Sequence, residues 1–239
     1  MDLISKLGEI VSGRGLHIKF KDRASAASIL STMLKPGIKA KKDRQQEKTL
    51  ILGIPRGGVV VADVLAQKLN ADLDIVISRK LRAPDNKENS IGAIMPDGSM
   101  YLDELKVRWL KVSSEYIEHE KAEQSREIVR RTALYRPGKQ EEYNNIKDRT
   151  VVLADDGVAS GATLIPAVRW IKRQQPKQLI IAAPIAQEQA AELLKKEADQ
   201  VQFIITPSNF TAINQFYQNF EPVADEQVID ILNKWQRHH

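Results

Sequence analysis

The stretch VVLADDGVASGAT, residues 151–163, decides how the rest of the chain is interpreted. It opens with an apolar run of the length of a buried strand. Two carboxylates, Asp155 and Asp156, stand where that strand must end, and small residues then lead into the apolar-periodic residues 164–171. The amides of a small-residue turn and of a helix N-terminus bind anions, whereas neighbouring acids suit sugar hydroxyls or a ligand-borne magnesium ion. The order favours a sugar phosphate as ligand; the alternative is an ordinary strand–helix turn with an acidic cap.

A second strand, turn and helix are predicted upstream. The apolar residues 50–54 precede Pro-Arg-Gly-Gly at 55–58 and a helix predicted for residues 59–69. Because no Gly-Lys-Ser/Thr follows, this turn is not a nucleoside-triphosphate P-loop. A third predicted strand, residues 73–78, ends directly before the cations of Arg-Lys-Leu-Arg at 79–82. Ligands bind at the carboxyl ends of strands in an open parallel sheet, so we expect one composite site. The alternative interpretation of Arg79 and Lys80 is a solvated cluster on the surface.

Several segments together resemble the type I phosphoribosyltransferases, and most of all a bacterial group of predicted phosphoribosyltransferases with no assigned acceptor. The segments are FKDR at 20–23, GIPRGGVVVA at 53–62, RKLRAP at 79–84 with IGA at 91–93, DDGVASGAT at 155–163, TP at 206–207 with Phe210, and QFYQNF at 215–220. The resemblance extends over nearly the whole chain. Its sugar-phosphate motifs are specific, whereas its acceptor motifs are not.

The resemblance implies an α/β fold in which a parallel β-sheet is flanked by helices. Residues 1–239 would form a single domain with an insertion at 82–145, consisting of a flap hairpin and a long projecting helix, and a hood-like C-terminal part at 200–239. The implied reaction displaces pyrophosphate from phosphoribosyl pyrophosphate, with Mg²⁺ as cofactor and a nitrogenous base as the natural class of acceptor. A non-catalytic regulator or sensor that binds a nucleotide or nucleic acid is the alternative.

The resemblance also implies roles for individual residues. The catalytic group would be Asp155, Asp156, Arg79 and Lys80, with the acid pair on the ribose hydroxyls and beside a largely ligand-borne Mg²⁺. The 5-phosphate would lie on Val158, Ala159, Ser160, Gly161, Ala162 and Thr163, and the pyrophosphate on Pro55, Arg56, Gly57 and Gly58. A non-proline cis peptide is expected between Pro55 and Arg56. Glu88 and Phe210 are candidates for the lid or the acceptor site, although a core aromatic is the simpler interpretation of Phe210.

The general base is left open by one departure from the family pattern. Purine enzymes of the hypoxanthine–guanine type carry a third acid in the phosphate loop, and Ala159 stands at that position. Either the acceptor needs no base from this loop, or a residue such as Glu88 supplies one. Arg130, Arg131 and Arg136 either reach the site or are solvated, and the sequence does not choose between these.

Helical patterns predict the elements around these motifs. Residues 24–34 should form a helix that Asp22 caps and that Pro-Gly at 36–37 ends. A hairpin is expected around Pro-Asp-Gly at 96–98. One long helical stretch is predicted for residues 103–133, in which packing is the favoured role of Trp109 and a projecting or subunit-bound position explains the charged middle.

Composition limits the remaining classes. The 239 residues carry a net charge of +5 and no cysteine, which excludes disulfides and suits a reducing compartment such as the cytoplasm. The sequence has no long apolar run and no signal-peptide pattern, so we expect no membrane partner. The basic balance suits anionic ligands, but 5% aromatic residues and no known module disfavour nucleic acid. The four histidines have no spaced partner for a metal, and His238 and His239 are native or part of a tag. Assembly into a homo-oligomer is left open.

Overall fold

The computed structural model describes residues 19–39, 49–85, 89–137 and 146–236, without the side chains of residues 37 and 39. Within these ranges the strands, in chain order, are β1 Leu50–Gly53, β2 Asp72–Ile75, β3 Arg79–Arg82, β4 Ser90–Ile94, β5 Met100–Leu102, β6 Thr150–Ala154, β7 Gln178–Ile185 and β8 Gln200–Ile205. The helices are α1 Arg23–Lys39, α2 Gly57–Leu69, α3 Glu104–Trp109, α4 Ser114–Tyr135, α5 Leu164–Arg173, α6 Glu188–Glu197 and α7 Asp225–Gln236, with a 3₁₀ turn at Ile213–Phe216.

A parallel sheet with strand order β2-β1-β6-β7-β8 forms the centre of the molecule. Its inner strands read as unbroken apolar runs because both faces are covered. Ile51 and Val152 pack with α1 and α2 on one face, whereas Leu52 and Leu153 pack with α5 and α6 on the other. This alternation follows the two-residue period of a strand. The predicted fold, a parallel sheet flanked by helices, is confirmed.

The register of the sheet brings the predicted motifs to one edge. Gly53 at the end of β1 pairs with Ala154 at the end of β6, and on its other side with Ile75 at the end of β2. Ala154 also pairs with Ala182 of β7. Because the strands are parallel and end together, the segments that follow β1, β2 and β6 leave the sheet side by side.

The cations at 79–82 form a strand of their own, where the sequence led us to expect a strand exit. β3, β4 and β5 make an antiparallel sheet in which Leu81, fully buried, pairs with Gly92. The hairpin predicted around residues 96–98 is present, closed by a hydrogen bond from Gly98 N to Met95 O of 3.0 Å. Gly98 has φ 77°, a conformation that glycine adopts without strain.

The long helical stretch predicted for residues 103–133 is wrong in two respects. The chain breaks at Lys111, which has φ 51°, and the hydroxyl of Ser113 caps α4 by accepting from Tyr116 N. Trp109 does not pack in the core, because 80% of its surface is exposed, and Leu105 beside it is 78% exposed. The apolar residues of this stretch therefore belong to two helices and do not form one buried face.

The charged middle of α4 also lies against the protein and does not project. Glu120 accepts a 2.7 Å hydrogen bond from Arg82 Nε, and Gln124 accepts one of 2.9 Å from Arg79 Nε. Both acceptors are buried. The sequence pattern scored them as solvent-facing because their partners, on β3, are distant in sequence.

Pro36 lies inside a helix that we expected Pro-Gly at 36–37 to end. α1 continues through it to Lys39. The predicted cap of α1 is confirmed, since Asp22 Oδ1 accepts from Ser25 N at 2.8 Å. Across the described ranges, no helix has the length and apolar character needed to cross a membrane.

Candidate functional site

The glycine turn after β1 and the acid pair after β6 are in direct contact. A methyl group placed on Gly57 would lie 1.8 Å from Asp156 Oδ2, and one on Gly58 would lie 2.7 Å from the carbonyl oxygen of Ala154. Glycine is required at these positions because the neighbouring backbone and carboxylate leave no room for Cβ. The peptide bond between Pro55 and Arg56 is cis, as expected.

Residues 155–163 form the loop in which we placed the 5-phosphate. The loop is anchored at Val158, whose N–H donates to Ile185 O at 2.9 Å and whose carbonyl accepts from Gln187 N at 2.8 Å. Ala159 and Ser160 are exposed at its tip, and Gly161 turns the chain with φ 73°. Neither Thr163, before α5, nor Arg56, before α2, caps its helix with a side-chain hydrogen bond. The two helix N-termini at this edge therefore present amides that no cap residue satisfies.

Asp156 is held by an arginine to which sequence analysis gave no role. Arg23, the first residue of α1, donates from Nε to Asp156 Oδ2 at 2.7 Å. The two side chains are only 11% and 13% exposed. The same carboxylate oxygen packs on Gly57, so one side of Asp156 is occupied by protein.

The N-terminal residues 20–23 and the C-terminal residues 216–221 join to form a terminal clasp around this pair. Phe20 N donates to Phe216 O at 2.8 Å, and the hydroxyl of Tyr217 donates to the carbonyl oxygen of Asp156 at 2.7 Å. Arg23 Nη1 donates to Glu221 O at 2.9 Å, and its guanidinium lies 3.8 Å from the centre of the Phe220 ring. Burial raises the pKa of Tyr217, so this donor stays protonated. Sequence analysis named FKDR and QFYQNF only for their resemblance to the family. It did not predict that the two segments contact each other, and this contact is what covers Asp156.

Asp155 lies in a different electrostatic environment. Its Oδ1 accepts from Asp156 N at 2.8 Å. Burial in the protein, followed by the negative charge of Asp156, raises the pKa of Asp155 well above the ordinary value. The two acids thus differ: Asp156 is paired with a cation, whereas Asp155 gains from a proton or from a ligand that donates hydrogen bonds.

The predicted cations divide into one that α4 holds and one that faces solvent. Arg79 is half-buried, with its Nε on Gln124, and desolvation followed by the charge of Arg131 lowers its pKa. Lys80 is exposed on the other face of β3. Arg56 is 42% exposed and its Nη1 lies 3.5 Å from Asp225 Oδ1.

The segment after β8 covers part of the acid loop. Ile213 lies so close to Gly157 that a methyl group on this glycine would be 2.6 Å from the isoleucine side chain. Phe210 is partly buried, and its ring centre lies 5.7 Å from that of Phe216. Phe210 therefore belongs to the same covering segment as Ile213. Sequence analysis did not identify Ile213, because a single isoleucine has no recognisable sequence pattern. Glu88 lies outside the described residues.

A magnesium ion finds a partial set of ligands here. Asp155 and Asp156 supply the hard oxygens that magnesium prefers, but Oδ2 of Asp156 is engaged by Arg23. Among the described residues, no group of three or more His, Cys, Asp or Glu side chains could hold a metal ion. The two acids therefore fit an ion that takes most of its ligands from a bound diphosphate and water.

Comparison with protein families places the chain in a class that this fold and site define. The phosphoribosyl transferase domain family matches residues 36–221. The chain therefore belongs to the phosphoribosyl transferase family, as its sequence predicted. The assignment to the pentosyltransferase class of enzymes agrees with this family.

Individual relatives are similar over most of the chain. The crystal structure of TT1426 from Thermus thermophilus has 36% sequence identity and a TM-score of 0.74, over 91% of this chain and 99% of that one. A Mycobacterium tuberculosis protein is 32% identical over 188 residues, in both strain CDC 1551 and strain H37Rv. Its name assigns it provisionally to the phosphoribosyl transferases. That match covers 79% of this chain and 42% of the relative, so the chain spans less than half of that relative's length.

Proposed function

We propose that the protein transfers the phosphoribosyl group of phosphoribosyl pyrophosphate to an acceptor, with a nitrogenous base as the natural class. The observation that carries this proposal is the pairing of Gly53 with Ala154, which sets the glycine turn beside the acid pair. A diphosphorylated pentose needs both anion cradles on one side of a sheet, with a diol-binding group between them. The loops at 55–58 and 155–163 meet that requirement.

Each loop takes one part of the substrate. The amides of residues 159–163 and the start of α5 hold the 5-phosphate, since a helix N-terminus favours an anion. The amide of Val158, predicted to share this role, is already bonded to Ile185 O. Asp155 and Asp156 face the ribose hydroxyls, and their carboxyl oxygens accept hydrogen bonds from them. Arg56, with the amides of Gly57 and Gly58, holds the pyrophosphate.

The reaction forms a bond from the acceptor to the anomeric carbon and breaks the bond from that carbon to pyrophosphate. Arg56 and Arg79 stabilise the negative charge that grows on the leaving group, because preorganised charge lowers the barrier most effectively. The neighbouring acids offset positive charge that develops on the ribose. A bound Mg²⁺ would add charge neutralisation at the pyrophosphate, with Asp155 and Asp156 as its protein neighbours.

The segment around Ile213 covers the site from one side, since it packs on Gly157. The tip of the β4–β5 hairpin is bonded to Arg173 at the far end of α5. We propose that the hairpin leaves this position as a flap and excludes water from the ribose during transfer, which suppresses hydrolysis. Phe210 and Ile213 would then border the acceptor. The phosphate loop carries Ala159 at the position of the third acid. The acceptor therefore either reacts without a base from this loop, or loses its proton to another residue such as Glu88. The absence of cysteine suits a cytoplasmic enzyme.

The test is pyrophosphate release from phosphoribosyl pyrophosphate with Mg²⁺, against a panel of purine and pyrimidine bases and simple amines. Release that depends on both a base and Mg²⁺ supports the proposal, and Asp155→Asn should lower it. Binding of the substrate without release for any acceptor would favour the regulator or sensor. No binding of phosphoribosyl pyrophosphate would refute the assignment of both loops.

A further inference from the structure

Arg79 carries a positive charge for which the structure provides a neutral partner. Its Nε donates to the amide oxygen of Gln124, and no carboxylate of the described residues lies within ion-pair distance of it. The guanidinium is half-buried, so solvent compensates its charge only in part. A partly buried cation in this state is stabilised by an anionic ligand.

Arg131, two turns beyond Gln124 on α4, is also held at Nε by a side chain of that helix, although its partner is a carboxylate. Its Nε donates to Glu127 Oε1 at 2.7 Å, and 17% of its side chain is exposed. In both arginines an α4 side chain holds Nε, and the terminal Nη groups have no hydrogen-bond partner among the described residues. A guanidinium fixed at Nε presents its two Nη groups as a fork, the geometry that recognises phosphate oxygens.

Arg131 lies between Arg79 and the pyrophosphate turn. Gln124, Glu127, Arg131 and Tyr135 share one face of α4, since they are spaced by three or four residues. The Gln124 end of this face touches Arg79, and at the other end the hydroxyl of Tyr135 donates to Asp225 Oδ1 at 2.6 Å.

Asp225 connects this face to the pyrophosphate turn, because its Oδ1 lies 3.5 Å from Arg56 Nη1. On the shared face of α4, Arg131 stands between Gln124, which contacts Arg79, and Tyr135, which contacts Asp225. The neighbouring Arg136 is excluded from this group, because it pairs with buried Asp74 at 2.8 Å.

We propose that Arg131 of α4 binds the diphosphate end of the substrate, together with Arg56 and Arg79. The proposal deepens the proposed function and rests on it. Glu127 orients Arg131 and does not bind the anion. The insertion that carries α4 then supplies part of the active site, and the helix does more than support β3.

The test measures binding of inorganic pyrophosphate, with Mg²⁺ present, by titration calorimetry on the full chain. Arg131→Gln should weaken pyrophosphate binding by about tenfold or more, because a hydrogen bond to a charged group is lost. Arg131→Lys keeps the charge but not the fork of two Nη groups, so its affinity for pyrophosphate should lie between those of the parent and Arg131→Gln. Arg126→Gln is the matched control, since Arg126 is exposed on the same helix, and it should bind pyrophosphate like the parent.

A second ligand separates a binding role from a structural one. Ribose 5-phosphate occupies the opposite loop and lacks the diphosphate, so Arg131→Gln should bind it as the parent does. The proposal is overturned if Arg131→Gln binds pyrophosphate as well as Arg126→Gln does, or if it loses both ligands together. If the parent itself binds neither ligand nor phosphoribosyl pyrophosphate, the proposed function fails as well.

Discussion

Replacement of Arg23 by glutamine should destabilise the fold, because it breaks a nearly buried ion pair. Arg23 and Asp156 are close to buried, with 11% and 13% of their side chains exposed, and Nε and Oδ2 are 2.7 Å apart. Removing one partner of a buried ion pair costs about 3–5 kcal/mol, because the other charge is left without compensation. Since both side chains keep some contact with solvent, we expect a loss at the lower end, about 3 kcal/mol.

Thermal and urea unfolding measure this change. A loss of about 3 kcal/mol should lower the Tm by about 6–12 °C in a chain of this size. Arg169→Gln is the control, because Arg169 also pairs with a carboxylate, Glu197, but is 45% exposed. An exposed pair contributes about 0–1 kcal/mol, so the control should unfold close to the parent. The double variant Arg23→Gln/Asp156→Asn should lose less than the two single variants together, since it leaves no charge unpaired.

Equal unfolding free energies for Arg23→Gln and Arg169→Gln would refute this account of the acid pair. Additive losses in the double variant would refute it too, because they would mean that the two side chains do not interact. A stable Arg23→Gln protein that nevertheless binds phosphoribosyl pyrophosphate poorly would assign Arg23 to ligand binding and not to folding.

Three further outcomes are expected. The raised pKa of Asp155 means that the folded state holds this proton to higher pH than the unfolded state, so the parent loses stability as pH rises above about 4. Asp155→Asn should therefore exceed the parent's Tm at neutral pH while losing activity, and a Tm gap that does not close on acidification would contradict the desolvation argument. Gly57→Ala should abolish phosphoribosyl pyrophosphate binding, measured by calorimetry, because its methyl group would meet the Asp156 carboxylate at 1.8 Å; normal affinity would refute the predicted clash. Trp109→Ala should leave the Tm within about 2 °C of the parent, as exposed substitutions usually change stability by less than about 0.5 kcal/mol, and a larger drop would show that α3 packs against protein.

The sequence predicts the central sheet well because its local and global patterns agree. Each strand of β1, β6 and β7 is a short apolar run, and two of them end in a motif with its own chemistry. Parallel strands must then set those motifs at one edge, so the contact between Gly57 and Asp156 follows from topology. Apolar periodicity also predicts α2 and α5 to within a few residues.

The errors share one physical cause. Glu120 and Gln124 are polar, and a pattern based on hydropathy assigns them to solvent, although β3 buries both. The same pattern assigns Trp109 to a core that it does not reach. The pairing of Arg23 with Asp156 spans most of the chain, and a single sequence carries no local signal for a contact of that kind. Polar contacts between distant segments are therefore what the structure adds.

The terminal clasp has a consequence for how the protein is made. Residues 151–163 are made before Tyr217, whose hydroxyl bonds to the carbonyl oxygen of Asp156, and before Phe220, whose ring lies on the guanidinium of Arg23. Until translation has passed these late residues, Arg23 and Asp156 lack the cover that seals them from water. A nascent chain thus holds both glycine turns before residues 217–220 can cover Arg23 and Asp156.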